Sequence, residues 1–366
     1  MKCRCVTFLL CLLIFFLPVP SLFSADLLVP EMELTTRGYI ENQTLNLATL
    51  GTFDLLIAGG YKFGGRLALN IEGENLEDLT TDNPLNFEAA SIVLRDVFRL
   101  PMNISYFIGR LDTLCNGDIF QEQYGTEQIG TRYRGYAYFP EGVRYDGIYD
   151  IAGTGMALTA NFSDNFTTSA YIYQDAIFGT GKFSADIRTV LNLELFKLEA
   201  FIGSSFPVSN VGIYRGGLFL FYKTNTGGEF LTQIGIPKWD PWHDPFDIDL
   251  FYFLFEPRVK LNIFSIILTL FWHPAFYMGT ETNELGSVDI NVNFLIGNPE
   301  LSTFSGGLEN SLKFSTTSTE QFQTYISPYF SAITSGVIWN FKVNTKVFPY
   351  ALEDLFEFFV GVKAEF

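Results

Sequence analysis

The chain has 366 residues, with 23 Lys and Arg against 40 Asp and Glu, for a formal net charge of −17. Hydrophobic residues make up 48% of it and aromatic residues 17%, a composition that excludes a disordered chain. The negative charge would repel phosphate, and the sequence has no run of five or more basic residues. We therefore exclude a nucleic-acid-binding protein. The length allows one or two soluble domains or one large barrel.

Residues 1–25 have the pattern of a secretory signal peptide. Lys2 and Arg4 precede an apolar run at residues 6–17, and small residues suited to cleavage follow it. The alternative is an N-terminal membrane anchor, but the apolar run is shorter than the roughly 20 residues that a spanning helix needs. We expect residues 26–366 to be exported and to form one domain.

The C-terminal residues alternate between apolar and polar side chains. Successive side chains of a strand point to opposite faces, so residues 357–366 would have one wholly apolar face. A strand of this kind that ends on an aromatic residue resembles the C-terminal signal that outer-membrane barrels present to the barrel assembly machinery. The resemblance implies that machinery as a partner. The residues of this predicted assembly signal are Phe358, Val360, Val362, Ala364 and Phe366.

Four further segments show the same alternation. Strands of about ten residues that are apolar outside and polar inside are typical of transmembrane β-barrels. A soluble sandwich also alternates, but it usually has shorter strands and a charged outer face. We therefore predict an all-β fold, an antiparallel transmembrane β-barrel. The four segments are residues 185–193, 247–255, 287–296 and 336–344.

Short connectors divide the exported part into 18 predicted strands, with 16 as the alternative count. Two predicted strands, residues 247–256 and 258–272, meet at the sequence Glu-Pro-Arg, which we interpret as a turn. Outer-membrane barrels have short periplasmic turns and long external loops. We therefore place both chain termini on the periplasmic side.

The longest predicted loop covers residues 112–149 and is the third on the external side. It opens within FIGRLDTLCNGDIF, residues 107–120, which resembles the Gly-Arg strand end that begins a long loop in porin-type outer-membrane proteins. In general porins the third external loop folds into the barrel and narrows it, so the resemblance implies a similar constriction here. The candidate constriction residues are Asp112, Asp118, Glu122, Glu127, Arg132, Arg134, Glu141, Arg144 and Asp146.

The polar face of the strands would line the lumen, and barrels of 16 to 18 strands leave an aqueous channel. The porin resemblance therefore implies passive diffusion of small hydrophilic solutes. The acidic balance predicts a preference for cations, because rings of charge set ion preference. Each charge could instead be a solvated position without a filtering role. The candidate lumen residues are Asp186, Arg188, Asp247, Asp249, Asp289, Lys342, Glu357 and Lys363.

Three other functions compete with the channel. A hydrophobic-ligand transporter of the fatty-acid class would use Phe251, Phe253 and Phe255 as interior side chains, and a surface adhesin or structural protein would share the same barrel pattern. An enzyme is disfavoured, because His243 and His273 are the only histidines and both fall in predicted external loops.

We expect no disulfide within the exported part, because Cys115 is its only cysteine. We also expect no cofactor and no metal site. The expected location is the outer membrane of a diderm bacterium. The expected partners are the lipid bilayer, lipopolysaccharide or another outer-leaflet lipid, small solutes and, as is typical of the class, further copies in a homotrimer.

Overall fold

A computed structural model gives the fold of the chain. Within the part that it describes, no helix has both the length and the apolar character needed to cross a membrane. The residues described are 25–41, 44–60, 62–73, 85–97, 100–116, 147–178, 182–206, 212–272, 274, 288–298, 302–314, 322–350 and 355–365.

The described residues form eighteen antiparallel strands. A short 3-10 helix at Ile248–Leu250 lies between β11 and β12. The strands are β1 (Ala25–Glu41), β2 (Thr44–Gly59), β3 (Phe63–Gly73), β4 (Leu85–Leu94), β5 (Met102–Leu114), β6 (Tyr149–Ser163), β7 (Phe166–Asp175), β8 (Phe183–Leu193), β9 (Phe196–Phe206), β10 (Ile213–Lys223), β11 (Gly228–Trp239), β12 (Tyr252–Leu261), β13 (Phe264–Trp272), β14 (Val288–Ile296), β15 (Phe304–Phe314), β16 (Phe322–Thr334), β17 (Val337–Phe348) and β18 (Phe356–Glu365).

The strands close into one barrel. Each pairs with its neighbours in the sequence, and β1 pairs with both β2 and β18. Closure gives every strand two hydrogen-bonded neighbours, which a sheet in lipid requires because no water is present to satisfy a free edge. The prediction of 18 strands is confirmed, and the alternative count of 16 is wrong.

Connector length differs between the two ends of the barrel. Four connectors at one end have two residues each, whereas the connector between β5 and β6, at the other end, runs from residue 115 to residue 148. This segregation matches the predicted alternation of short turns and long loops. The two-residue connectors are Asp164–Asn165, Glu194–Leu195, Asn262–Ile263 and Ser335–Gly336.

Contacts across the barrel show which face of each strand points inward. The Glu199 carboxylate on β9 accepts a hydrogen bond from the backbone of Cys115, which follows β5. Strands β5 and β9 are not neighbours, so this contact crosses the interior. On strands β7 to β9 the alternate residues point outward, and Ile172, Ile187 and Ile202 there are 68%, 54% and 68% exposed. Those exposed apolar side chains form the surface that a bilayer would cover.

The seam between β1 and β18 is held on both faces. On the inner face, Arg37 on β1 forms an ion pair with Glu357 on β18. On the outer face, the ring of Phe358 lies directly over Gly38, its partner in the register. The described residues of the predicted assembly signal, 358, 360, 362 and 364, all share this outward parity. Phe366 lies outside the described residues.

The predicted register of the twelfth strand is wrong. Strand β12 begins at Tyr252 and continues through the Glu-Pro-Arg sequence, and the turn comes at Asn262, whose φ of 57° is left-handed. Asn adopts this conformation more readily than most residues, so the turn signal was Asn262 and not the proline. Asp247 and Asp249 therefore lie outside the strand, in the connector before it.

This register predicts which face of β12 tolerates a charge. Phe255 points outward, opposite in parity to the inward Glu256. We expect Phe255→Arg to lower the free energy of unfolding in lipid vesicles by about 2–4 kcal/mol, because a charge would enter the bilayer. Thr35→Arg, on the inward face of β1, is the matched control and should change it far less. A stable Phe255→Arg variant would contradict the register.

Candidate functional site

The lumen contains several clusters of paired charges. The first, which we call the Arg188 cluster, joins two candidate residues from the sequence. Arg188 contacts the Asp112 carboxylate at 2.5 Å and the Glu199 carboxylate at 2.8 Å. The Tyr171 hydroxyl donates a second hydrogen bond to Asp112, at 2.9 Å. Asp112 lies on β5 and not in the following loop, and its side chain remains 27% exposed.

A second cluster, the Arg215 cluster, is fully enclosed. Arg215 on β10 donates two hydrogen bonds to Asp186 on β8, at 2.7 and 2.5 Å. The Tyr173 hydroxyl donates to the same carboxylate at 2.9 Å. The Arg215 guanidinium also lies 4.2 Å above the ring of Tyr149, whose hydroxyl donates to Asp175. One cation thus faces two buried carboxylates, and hydrogen bonds from the tyrosine hydroxyls further stabilise the two carboxylates.

A third cluster, the Arg258 cluster, occupies β11 to β13. Arg258 contacts Glu256 at 2.8 Å and Glu229 at 3.5 Å. Lys260 reaches Glu229 at 3.1 Å, and the Thr269 hydroxyl donates to Glu256 at 2.7 Å. Two basic and two acidic groups therefore neutralise each other inside the barrel.

The wall formed by β14 to β18 and β1 has smaller pairs. Lys342 on β17 donates to Glu309 on β15 at 2.7 Å, and the Asn291 amide donates to the same carboxylate. The Arg37–Glu357 pair at the seam is the more open of the two, with side chains 29% and 26% exposed. Water therefore reaches the seam pair more readily than the fully buried Arg215 cluster.

The structure places six of the eight candidate lumen residues on inward positions of strands. Asp186, Arg188, Asp289, Lys342, Glu357 and Lys363 all lie on the inward parity of their strands, whereas Asp247 and Asp249 do not lie on a strand. Of the predicted constriction residues, only Asp112 is described; those from Asp118 to Asp146 lie outside the described residues.

Several inward charges escaped the sequence analysis. They lie at alternate positions of β9 to β12 and β15, so the period-two pattern was available as a signal. Phenylalanine occupies many positions of both parities in these strands, which hid that pattern. The missed residues that are buried on these strands are Lys197, Glu199, Arg215, Glu229, Glu256, Arg258 and Glu309.

The connector between β11 and β12 contains one of the two histidines. His243 is 72% exposed, and its Nδ1 lies 2.8 Å from an oxygen of Asp240. This hydrogen bond holds the pKa of Asp240 below its usual value. Among the described residues, no group of three or more His, Cys, Asp or Glu side chains could hold a metal ion. His273 lies outside the described residues.

Solved structures similar to the chain include two proteins of Pseudomonas aeruginosa. OccK5 (OpdH) matches over 92% of this chain and 97% of its own, with 9% identity and a TM-score of 0.53. OccK1 (OpdK) matches over 94% and 98%, with 10% identity and a TM-score of 0.52. These likenesses concern the fold, which is that of porin-type outer-membrane β-barrels. No protein-family model and no curated protein matches the chain.

The Arg215 cluster gives a stability prediction. Arg215→Met would leave Asp186 and Asp175 buried without their cation, and we expect the free energy of unfolding to fall by about 3–5 kcal/mol. Arg215→Met combined with Asp186→Leu should recover part of this loss. Arg37→Met, whose partner Glu357 stays in contact with water, should cost about 1 kcal/mol or less. Denaturant unfolding in lipid vesicles measures all three, and a fully stable Arg215→Met variant would contradict the pairing.

Proposed function

We propose that the protein is an outer-membrane channel for passive diffusion of small hydrophilic solutes. The observation that carries the proposal is the closed barrel of eighteen strands with a charged interior. Barrels of this strand number enclose an aqueous channel, and charged groups along the wall select among polar solutes. The apolar outward face supports insertion into a bilayer.

The solute path lies on one side of the lumen. Inward side chains of β9 to β13, such as Glu199, Phe219 and Gln233, are fully buried, so solutes do not reach them. Water-accessible pairs include Arg37 with Glu357 and, on the other wall, Arg188 with Asp112. A permeating solute would meet both pairs.

Charge selectivity is expected to be weak. The net charge of −17 predicts a preference for cations. Both of these accessible pairs, however, combine one acidic and one basic group, so the pairs themselves add little net charge to the wall. We propose a small preference for cations that comes from acidic residues outside the paired clusters.

The proposal also covers the export of the chain and its location in the cell. Residues 1–25 would direct export and be cleaved, and the barrel would reside in the outer membrane, as the name "outer membrane protein" states for the similar OpdK. The barrel assembly machinery, outer-leaflet lipid and further copies of the chain remain proposed partners. We propose no enzymatic activity and no cofactor.

A hydrophobic-ligand transporter is less well supported. Its sequence argument used Phe251, Phe253 and Phe255 as interior side chains. Phe251 precedes β12, and Phe253 and Phe255 occupy its outward parity. The Phe253 and Phe255 rings therefore face away from the lumen. The inward positions of β12 carry charged residues of the Arg258 cluster instead.

Single-channel recording in planar bilayers tests the proposal. We expect stable current steps and a small reversal potential of cation-preferring sign in a salt gradient. Solutes can be tested by their block of the current; vanillate, with which OpdK was crystallised, is one choice. A folded barrel that conducts no current would refute the channel.

The seam pair predicts opposite shifts in selectivity. Glu357→Gln removes the acidic charge of the pair and should move selectivity towards anions, and Arg37→Gln removes its basic charge and should move selectivity towards cations. A unit charge acting at about 4 Å in water contributes about 1 kcal/mol, so each permeability ratio should change by up to about fivefold. Asp249→Asn, in an exposed connector, is the control and should shift selectivity less than either seam variant. Shifts of the same sign in both variants would contradict the proposal that solutes pass the seam pair.

A further inference from the structure

The two ends of the long connector between β5 and β6 enter the lumen together. Cys115 follows β5 with a left-handed φ of 60°, which turns the chain inward. Ile148, just before β6, donates its backbone N–H to the carbonyl of Leu114 at 2.9 Å. Leu114, Cys115 and Ile148 are all fully buried. We call residues 114–116 and 147–149 the loop base.

Three side chains of the β9–β11 wall bind the backbone of the loop base. Gln233 on β11 donates its amide N–H to the Cys115 carbonyl at 2.5 Å, and Glu199 on β9 accepts from the Cys115 N–H at 2.6 Å. Lys197 on β9 donates to the Asn116 carbonyl at 2.9 Å. Because a buried polar group is costly when it lacks a partner, each of these bonds favours the loop base in this position.

Neighbouring groups fix the orientation of these side chains. The Tyr252 hydroxyl donates to the Gln233 amide oxygen at 3.0 Å, so the amide N–H₂ faces the loop base. The guanidinium of Arg188 contacts the Glu199 carboxylate. The wall therefore presents a donor, an acceptor and a cation in an arrangement that matches the backbone of residues 115 and 116.

Glycines provide space for the apolar side of the loop base. The terminal methyl of Ile148 would lie only 2.7 Å from a Cβ at Gly217 and 3.0 Å from one at Gly235. A larger residue at either position would therefore press against Ile148. The same wall thus accepts the loop base by shape as well as by hydrogen bonding.

From this geometry we propose that Lys197 and Gln233 are positioning residues that hold the loop base inside the lumen and thereby set the width of the channel. This inference rests on the proposed channel function. Neither side chain meets a solute, since both are buried; they act through the backbone of Cys115 and Asn116.

Cys115 is itself the reporter for the first experiment. Membranes that contain the full chain are treated with a small maleimide, and modification of Cys115 is followed over time by peptide mass spectrometry. We expect Cys115 to be protected in the wild type and to react at least about tenfold faster in Gln233→Leu and in Lys197→Met, since each variant loses one bond to the loop base. Lys197→Arg keeps a cationic donor and should restore protection.

Lys342→Met is the matched control. Lys342 is also a buried lumen lysine with a hydrogen-bonded partner, Glu309, but it does not contact the loop base. Its loss should leave Cys115 protected. Rapid modification of the wild type, or unchanged protection in variants that fold with wild-type heat-modifiability, would overturn the proposal.

Channel recordings separate positioning from mere stability. Gln233→Leu and Lys197→Met should alter the single-channel conductance and increase open-channel noise, whereas Lys197→Arg should behave as the wild type. Unaltered conductance in variants whose Cys115 has become reactive would refute the effect on channel width. If the wild type conducts no current, the channel function fails, and the labelling experiment still decides whether the two residues hold the loop base.

Discussion

Closure of the backbone hydrogen bonds around the barrel is the constraint on which the rest of the structure depends. A strand in lipid has no water to bond, so β1 must find a partner in β18 as well as in β2. Once the ring is closed, the period of two assigns each side chain to the lipid or to the lumen. The charged residues at alternate positions are thereby collected in one enclosed space, where they pair with each other because they cannot all reach water.

The charged residues on the two sides of the lumen have different roles. On the side of β8 to β13, most charged side chains form ion pairs with each other, and part of the wall binds the loop base instead of solvent. Arg215 and Arg258 illustrate this use, since each is buried and bonded to carboxylates from other positions of the wall. On the side of the seam, Arg37 and Glu357 remain accessible to water. For the proposed channel, this asymmetry implies an off-centre path and a selectivity that depends on a small subset of the charged residues.

The sequence predicted the fold well because the strand period is a local property. Strands β14, β17 and β18 alternate cleanly, and their inward residues Asp289, Lys342 and Glu357 were identified from that pattern alone. The prediction of strand β12 failed because aromatic residues occupy both faces of the strand and because Pro257, within the strand, resembles a turn signal. The binding of Gln233 to Cys115 was beyond the sequence, since the two residues are 118 positions apart and only the closed ring brings them together.

The seam has a consequence for biogenesis. Arg37 and Glu357 are separated by 320 positions, so the β18-facing edge of β1 has no permanent partner until nearly the whole chain has been synthesised. During that interval the chain presents unpaired strand edges and apolar side chains to water, a combination that promotes aggregation. Closure of the barrel therefore waits for the last strand, β18, to become available to β1.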